Sequence, residues 1–195
     1  MRRLSCVACL LVLVTCVTAC GTPDQGSHIV VPGFTGAGVA YPHTRKGTPY
    51  VFGDIIMCLD RPGTVTIDSI ELIDATDGLR IDDFGVIPNA MESDHFGYED
   101  NSVPIAQTTP KPSHPVIMTK ACPTSFSLPP VPNPQSVALL LQYSKSTDTS
   151  AASQGIKINY TTAGHQEWVK LGWTVALCAK ETGTGDQACS DVHGS

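Results

Sequence analysis

The chain has 195 residues and a formal net charge of −6 at pH 7, with 12 Lys and Arg against 18 Asp and Glu. Nucleic-acid binding needs clustered basic side chains that neutralise phosphates, and the sequence has no such cluster, so a nucleic-acid partner is excluded. The length beyond the first twenty residues suits one domain with a sizeable hydrophobic core.

The first twenty residues have the organisation of an export signal. Two arginines at 2–3 precede an apolar run over 4–17, and residues 17–20 read Val-Thr-Ala-Cys. The run is shorter than the ~20 residues of a membrane-spanning helix, which makes a transmembrane anchor the weaker alternative. The junction resembles that of bacterial lipoproteins, in which an aliphatic residue and small residues precede a cysteine that is diacylated before cleavage. The resemblance implies that 1–19 is a signal peptide and that Cys20, rather than Cys16, carries the lipid on the extracytoplasmic face of the cell membrane.

The region after the leader divides into three parts. Residues 20–47 begin with a polar stretch rich in Gly and Pro and are predicted to form a flexible tether. Residues 48–180 contain the strand signals and form the predicted domain. Residues 181–195 begin with a Gly-rich run and are predicted to be a flexible tail.

Strand signals dominate the predicted domain. Runs rich in β-branched and aromatic residues, or with alternating polarity, predict strands at 50–58, 65–74, 79–86, 116–118, 136–143, 155–161 and 168–178. A Pro-Gly turn at 60–63 predicts that the first two strands pair as an antiparallel hairpin, and the third is expected to extend it into a meander. The segment 88–99 has no periodicity and is predicted to be a long loop with at most one helical turn.

Seven or eight short strands in an exported chain are most economically packed as two antiparallel sheets. We therefore predict an all-β fold, an immunoglobulin-like β-sandwich, with a jelly roll or small barrel as the alternative. Trp173 near Cys178 is similar to the buried tryptophan of immunoglobulin domains, although the usual Cys, Trp and Cys spacing is missing.

Four cysteines follow the lipidated one: Cys58, Cys122, Cys178 and Cys189. An even number in an exported domain predicts two disulfides, for which three pairings exist. We favour Cys58 with Cys178 and Cys122 with Cys189, because Cys58 and Cys178 each end an apolar run. The rival pairing joins Cys58 to Cys122 and Cys178 to Cys189. Zinc is disfavoured because these four cysteines form no CxxC pair and their spacings are long.

Two metal hypotheses remain. Met91 and His95, and likewise His114 and Met118, are each four residues apart, and mixed imidazole and thioether ligation suits copper. The alternative function is therefore a copper-handling envelope protein, cupredoxin-like or chaperone-like. Six acidic residues and one asparagine also offer oxygen ligands for calcium, although turn corners favour aspartate for local reasons. They are Asp74, Asp77, Asp82, Asp83, Glu99, Asp100 and Asn101.

The favoured function is a membrane-anchored, non-catalytic lipoprotein. The sequence lacks the motifs of nucleophilic and zinc hydrolases, so neither an enzymatic activity nor a cofactor is predicted. The expected partners are membrane lipid, through the acylated Cys20, and another envelope protein, a glycan or a small ligand, through the 88–114 loops.

Overall fold

A computed structural model of the chain describes residues 26–32, 37–76, 78–88, 104–107, 115–123, 136–180 and 189. Within them no helix has the length and apolar character needed to cross a bilayer. The described elements are eleven strands and one 3₁₀ turn at Ile105–Gln107. The strands are β1 (Ile29–Val30), β2 (Ala37–Tyr41), β3 (Tyr50–Leu59), β4 (Val65–Ile73), β5 (Leu79–Pro88), β6 (Val116–Met118), β7 (Val137–Lys145), β8 (Ala151–Ser153), β9 (Gly155–Thr162), β10 (His165–Leu171) and β11 (Trp173–Leu177).

The first sheet has the strand order β1-β3-β7-β5 and is antiparallel throughout. Its central strand β7 is buried at every position except Gln142, which is partly exposed. Continuous burial is possible because both faces of the sheet are covered. One face meets the main core, and the other packs Val51, Ile87 and Leu140 against Ile105 of the 3₁₀ turn.

The second sheet has the order β10-β9-β4-β6, and a smaller sheet has the order β2-β11-β8 with β2 and β11 parallel. Inward side chains of all three sheets form one core, in which the rings of Phe52 and Trp173 lie 4.5 Å apart. The predicted all-β sandwich is thereby confirmed. It contains more strands than the seven or eight expected, since β1, β2 and β8 were not anticipated and residues 168–178 are divided between β10 and β11.

The predicted meander of β3, β4 and β5 is wrong. β3 pairs with β1 and β7, whereas β4 pairs with β6 and β9, and β5 pairs with β7. The chain crosses between the two sheets at 60–64, after β3, and returns to the first sheet after β4. A turn sequence specifies only a reversal of chain direction, and the pairing of strands is decided by which faces each strand must bury. Nearly every described side chain of β3 is buried, so both faces of this strand must be covered.

The true hairpin of the second sheet joins β9 to β10. Thr162 pairs with His165, which leaves a two-residue turn at Ala163 and Gly164. Both turn residues have positive φ, 46° and 80°. These values match a type I′ turn, whose twist suits a two-residue hairpin.

The favoured disulfide pairing is also wrong, and the rival pairing is present: Cys58 is bonded to Cys122, and Cys178 to Cys189. Cys58 reaches Cys122 because the segment before Cys122 runs beside the end of β3, with the Leu59 amide donating to Lys120 O at 2.9 Å and the Cys122 amide donating to Leu59 O at 2.7 Å. Cys58 and Cys178 each end an apolar run, but β11, which precedes Cys178, belongs to a different sheet from β3. Ending such a run therefore does not make the two cysteines neighbours.

The folded region extends beyond the predicted domain at both ends. β1 pairs with β3 and β2 pairs with β11, although both lie within 20–47, the predicted tether. Cys189 is fully buried and bonded to Cys178, although it lies within the predicted tail. The leader, Cys20 and the residues up to 25 lie outside the described residues.

Candidate functional site

The predicted copper ligands are not brought together within the described residues. Met118 lies in β6 with 2% of its surface exposed and belongs to the main core. Met91, His95 and His114 lie outside the described residues, so the copper hypothesis stays a prediction. Among the described positions, no group of three or more His, Cys, Asp or Glu side chains is placed to hold a metal ion.

The aspartates considered for calcium have local roles where they are described. Asp82 accepts a hydrogen bond from Arg80 at 2.6 Å, and Asp83 accepts one from the Phe84 amide at 2.8 Å. Asp74 has a φ of 50° where the chain leaves β4, a conformation that aspartate tolerates. Asp77, Glu99, Asp100 and Asn101 lie outside the described residues.

The outward side of the second sheet carries a continuous array of polar side chains. The register of β10, β9 and β4 places these residues in three rows across the sheet. We call this surface the Trp168 face. Its rows are Gln166, Thr161 and Thr66; then Trp168, Asn159 and Ser69; then Lys170, Lys157 and Glu71.

Hydrogen bonds fix the middle of the Trp168 face. The Asn159 amide donates to Ser69 Oγ at 3.0 Å and to Glu71 Oε1 at 2.8 Å. The Thr161 hydroxyl donates to Asp68 Oδ2 at 2.8 Å, across the register shift in β4. Because each contact joins neighbouring strands, the polar groups are held in place by the sheet as well as by one another.

Trp168 is the largest exposed side chain of this surface. It is 57% exposed, whereas Trp173 is 5% exposed in the core. The ammonium of Lys170 lies 5.6 Å from the centre of the Trp168 ring, a distance at which a cation is attracted to the π face. The indole therefore stands at the solvent side of an edge strand with one flank occupied by a cation.

A polar cavity of about 310 Å³ lies beside the β9–β10 turn, where the first described residues meet the second sheet. It is lined by Gly26, Ser27, Arg61, Pro62, Gly63, Thr64, Thr162 and Ala163. The Thr162 hydroxyl is buried there without a hydrogen-bond partner. Ser27 donates to Pro62 O at 3.2 Å, which attaches the start of the described chain to the crossover at 60–64.

Ionisable groups next to this cavity are arranged around Asp60. Burial alone would raise the pKa of Asp60, but a hydrogen bond from the His28 amide at 2.7 Å and the Arg61 guanidinium at 3.2 Å lower it below the usual 3.8. Burial raises the pKa of Tyr160, whose hydroxyl lies 3.4 Å from His28 Nδ1. The hydrogen bond between His28 and Asp60 attaches the start of β1 to the end of β3.

Sequence reasoning placed binding in the 88–114 loops and missed the Trp168 face. Of those loops, only residues 104–107 and the start at Pro88 fall within the described residues. The signal for the face was present in β10, where Gln166, Trp168 and Lys170 alternate with Glu167 and Val169. The neighbouring strands decide whether this tryptophan lies on the exposed side of β10, and the sequence does not identify those strands.

Comparison with protein-family models, with curated proteins and with solved structures gave no significant match.

Proposed function

We propose that this protein is an exported lipoprotein whose β-sandwich serves as a binding domain at the extracytoplasmic face of the cell membrane. The leader and its Val-Thr-Ala-Cys junction support export and lipidation at Cys20. Two disulfides support the same compartment, because such bonds persist outside the reducing cytosol.

The Trp168 face is the observation that carries the binding role. Its polar groups are held by strands and by the Asn159 and Thr161 hydrogen bonds, so little conformational entropy would be lost when a ligand is bound. Trp168 adds a rigid aromatic surface to that array. A preorganised polar surface with one aromatic anchor is suited to recognition.

The number of residues between the lipidated Cys20 and the domain limits how far the domain can lie from the membrane. Five residues lie between Cys20 and Gly26, the first described residue, and the six steps from one to the other span at most about 20 Å when fully extended. A diacylated cysteine holds a protein on a bilayer far longer than one acyl chain does. The domain would therefore act close to the membrane surface.

Metabolic labelling with an alkyne-bearing fatty acid in the native cell tests the anchor. We expect label on the wild-type chain and on Cys16→Ala, and none on Cys20→Ala. Cys16→Ala is the matched control because it removes the other leader cysteine that a lipidation motif could use. Label retained on Cys20→Ala, or a wild-type chain without label, would contradict the proposal.

A further inference from the structure

We propose that the Trp168 face binds a neutral polysaccharide, an inference that rests on the proposed binding function and names its ligand class. Sugars present two chemistries at once: a ring face of C–H groups and a rim of hydroxyls. The Trp168 face offers a complement to each, namely the exposed indole and the rows of polar side chains beside it.

Trp168 supplies the apolar contact. More than half of its surface is exposed, and within the described part of the chain no strand lies beyond β10 at this edge. The negative face of an aromatic ring attracts groups with partial positive charge, such as the C–H groups of a pyranose. Since the indole stands on a hydrogen-bonded strand, it is positioned before the ligand arrives.

Asn159, Thr161 and Glu71 supply the polar contacts. They lie one and two strands away from Trp168, and adjacent strands are about 4.8 Å apart, which is comparable with the width of a sugar ring. Glu71 has one carboxylate oxygen bonded to Asn159 and a second 3.6 Å from Lys157, and its side chain remains 57% exposed. The amide hydrogens of Asn159 and the hydroxyl hydrogen of Thr161 are already donated within the sheet, so these groups offer acceptors: Asn159 Oδ1, Thr161 Oγ1 and the Glu71 carboxylate can accept from sugar hydroxyls.

The charges of the face favour a neutral polymer over a polyanion. The rows of the face contain two cations, Lys157 and Lys170, and one carboxylate, Glu71. Asp68, which accepts the hydrogen bond from Thr161 beside these rows, adds a second carboxylate that balances the formal charge. A polyanion would meet no net positive field here, and the whole chain carries −6. A neutral polysaccharide does not need a net positive field on the surface that binds it.

A peptide strand is the competing occupant of this edge. Among the described strands none pairs with the outer side of β10, so this edge could accept one. A strand added beyond β10 would lie beside Trp168 but about two strand spacings from Asn159, so it would leave the central hydrogen-bonding groups unused. The position of those groups is the reason to favour a ligand that lies across the sheet.

Binding is tested with the full lipidated chain in detergent, against insoluble β-glucan, mannan, galactan and chitin, with the polyanion alginate in parallel. We expect at least one neutral polymer to retain the protein, Trp168→Ala to weaken retention at least 10-fold, and Asn159→Ala to weaken it by about 3-fold or more. Trp168→Phe should recover part of the affinity because it restores an aromatic face. Arg80→Ala, an exposed change on the first sheet, is the control expected to bind as wild type.

Four results would overturn the inference: no retention on any neutral polymer, retention unaffected by Trp168→Ala, retention on alginate only, or capture of a peptide that depends on Trp168 but not on Asn159. Fatty-acid labelling at Cys20 is read separately. Labelled protein that binds no neutral polymer refutes the ligand class alone, whereas unlabelled protein refutes the anchor whatever the polymers show.

Discussion

The two disulfides are expected to stabilise the domain unequally. The Cys58–Cys122 bond closes a loop with a sequence separation of 64, and the Cys178–Cys189 bond one of 11. In the chain-entropy description, closing loops of these lengths stabilises the native state by about 4.3 and about 2.8 kcal/mol respectively. Packing offsets part of this difference, because Cys178 and Cys189 are both buried whereas Cys122 is partly exposed, so alanine removes more packing from the Cys178–Cys189 pair. The expected difference between the two variants is therefore at most about 1.5 kcal/mol, with the larger loss still expected for the longer loop.

Urea unfolding of two double variants measures this difference. Cys58→Ala with Cys122→Ala should lower the free energy of unfolding more than Cys178→Ala with Cys189→Ala, as followed by the fluorescence of buried Trp173. Peptide mapping of the oxidised wild-type protein provides the control for the pairing itself. Equal losses, or a larger loss from the Cys178 and Cys189 variant, would refute the loop-entropy reasoning.

Three further changes have defined outcomes. Ala163→Asn should raise the free energy of unfolding by about 0.5–1 kcal/mol, because asparagine tolerates the positive φ of this turn position better than alanine does; a lower melting temperature would contradict this. Tyr143→Phe should leave stability at neutral pH unchanged or raise it by up to about 1 kcal/mol, since the fully buried hydroxyl has no hydrogen-bond partner. Burial raises the pKa of Tyr143 well above 10. The stability that its neutral form contributes is therefore present below pH 10 and is lost as the pH rises through the raised pKa. Tyr143→Phe should resist alkaline unfolding better than the wild type, and an unchanged alkaline midpoint would contradict this. Asp60→Asn should make unfolding less dependent on pH at the acid end, because the lowered pKa of Asp60 gives stability that is present above about pH 4 and lost on acidification; an acid titration of ellipticity that matches wild type would count against it.

The sequence predicted strands well where burial is signalled along the chain itself. The apolar run at 136–143 became β7, and the alternation beginning at Val65 became β4, with Val65 and Ile67 buried as expected. Partners were predicted poorly, because pairing depends on the sheet to which each strand belongs. The turn at 60–63 has the composition of a hairpin turn, yet it carries the chain from one sheet to the other.

The same limit explains the disulfides and the candidate site. Cys58 meets Cys122 because residues 119–122 lie beside the end of β3, a contact between segments far apart in sequence. Trp168 was assigned to a strand, but its exposure follows from the position of β10 at the edge of the second sheet. Long-range neighbours decide both features, so the local sequence alone does not specify them.

Lipidation and disulfide bonding are both read from the intact mass, before and after reduction, of the protein extracted from the membranes of its native cell. We expect a chain that begins at Cys20, carries a diacylglycerol, and gains the mass of four hydrogens when its two disulfides are reduced. A chain that retains an unmodified leader, or that carries four free thiols before reduction, would contradict this expectation.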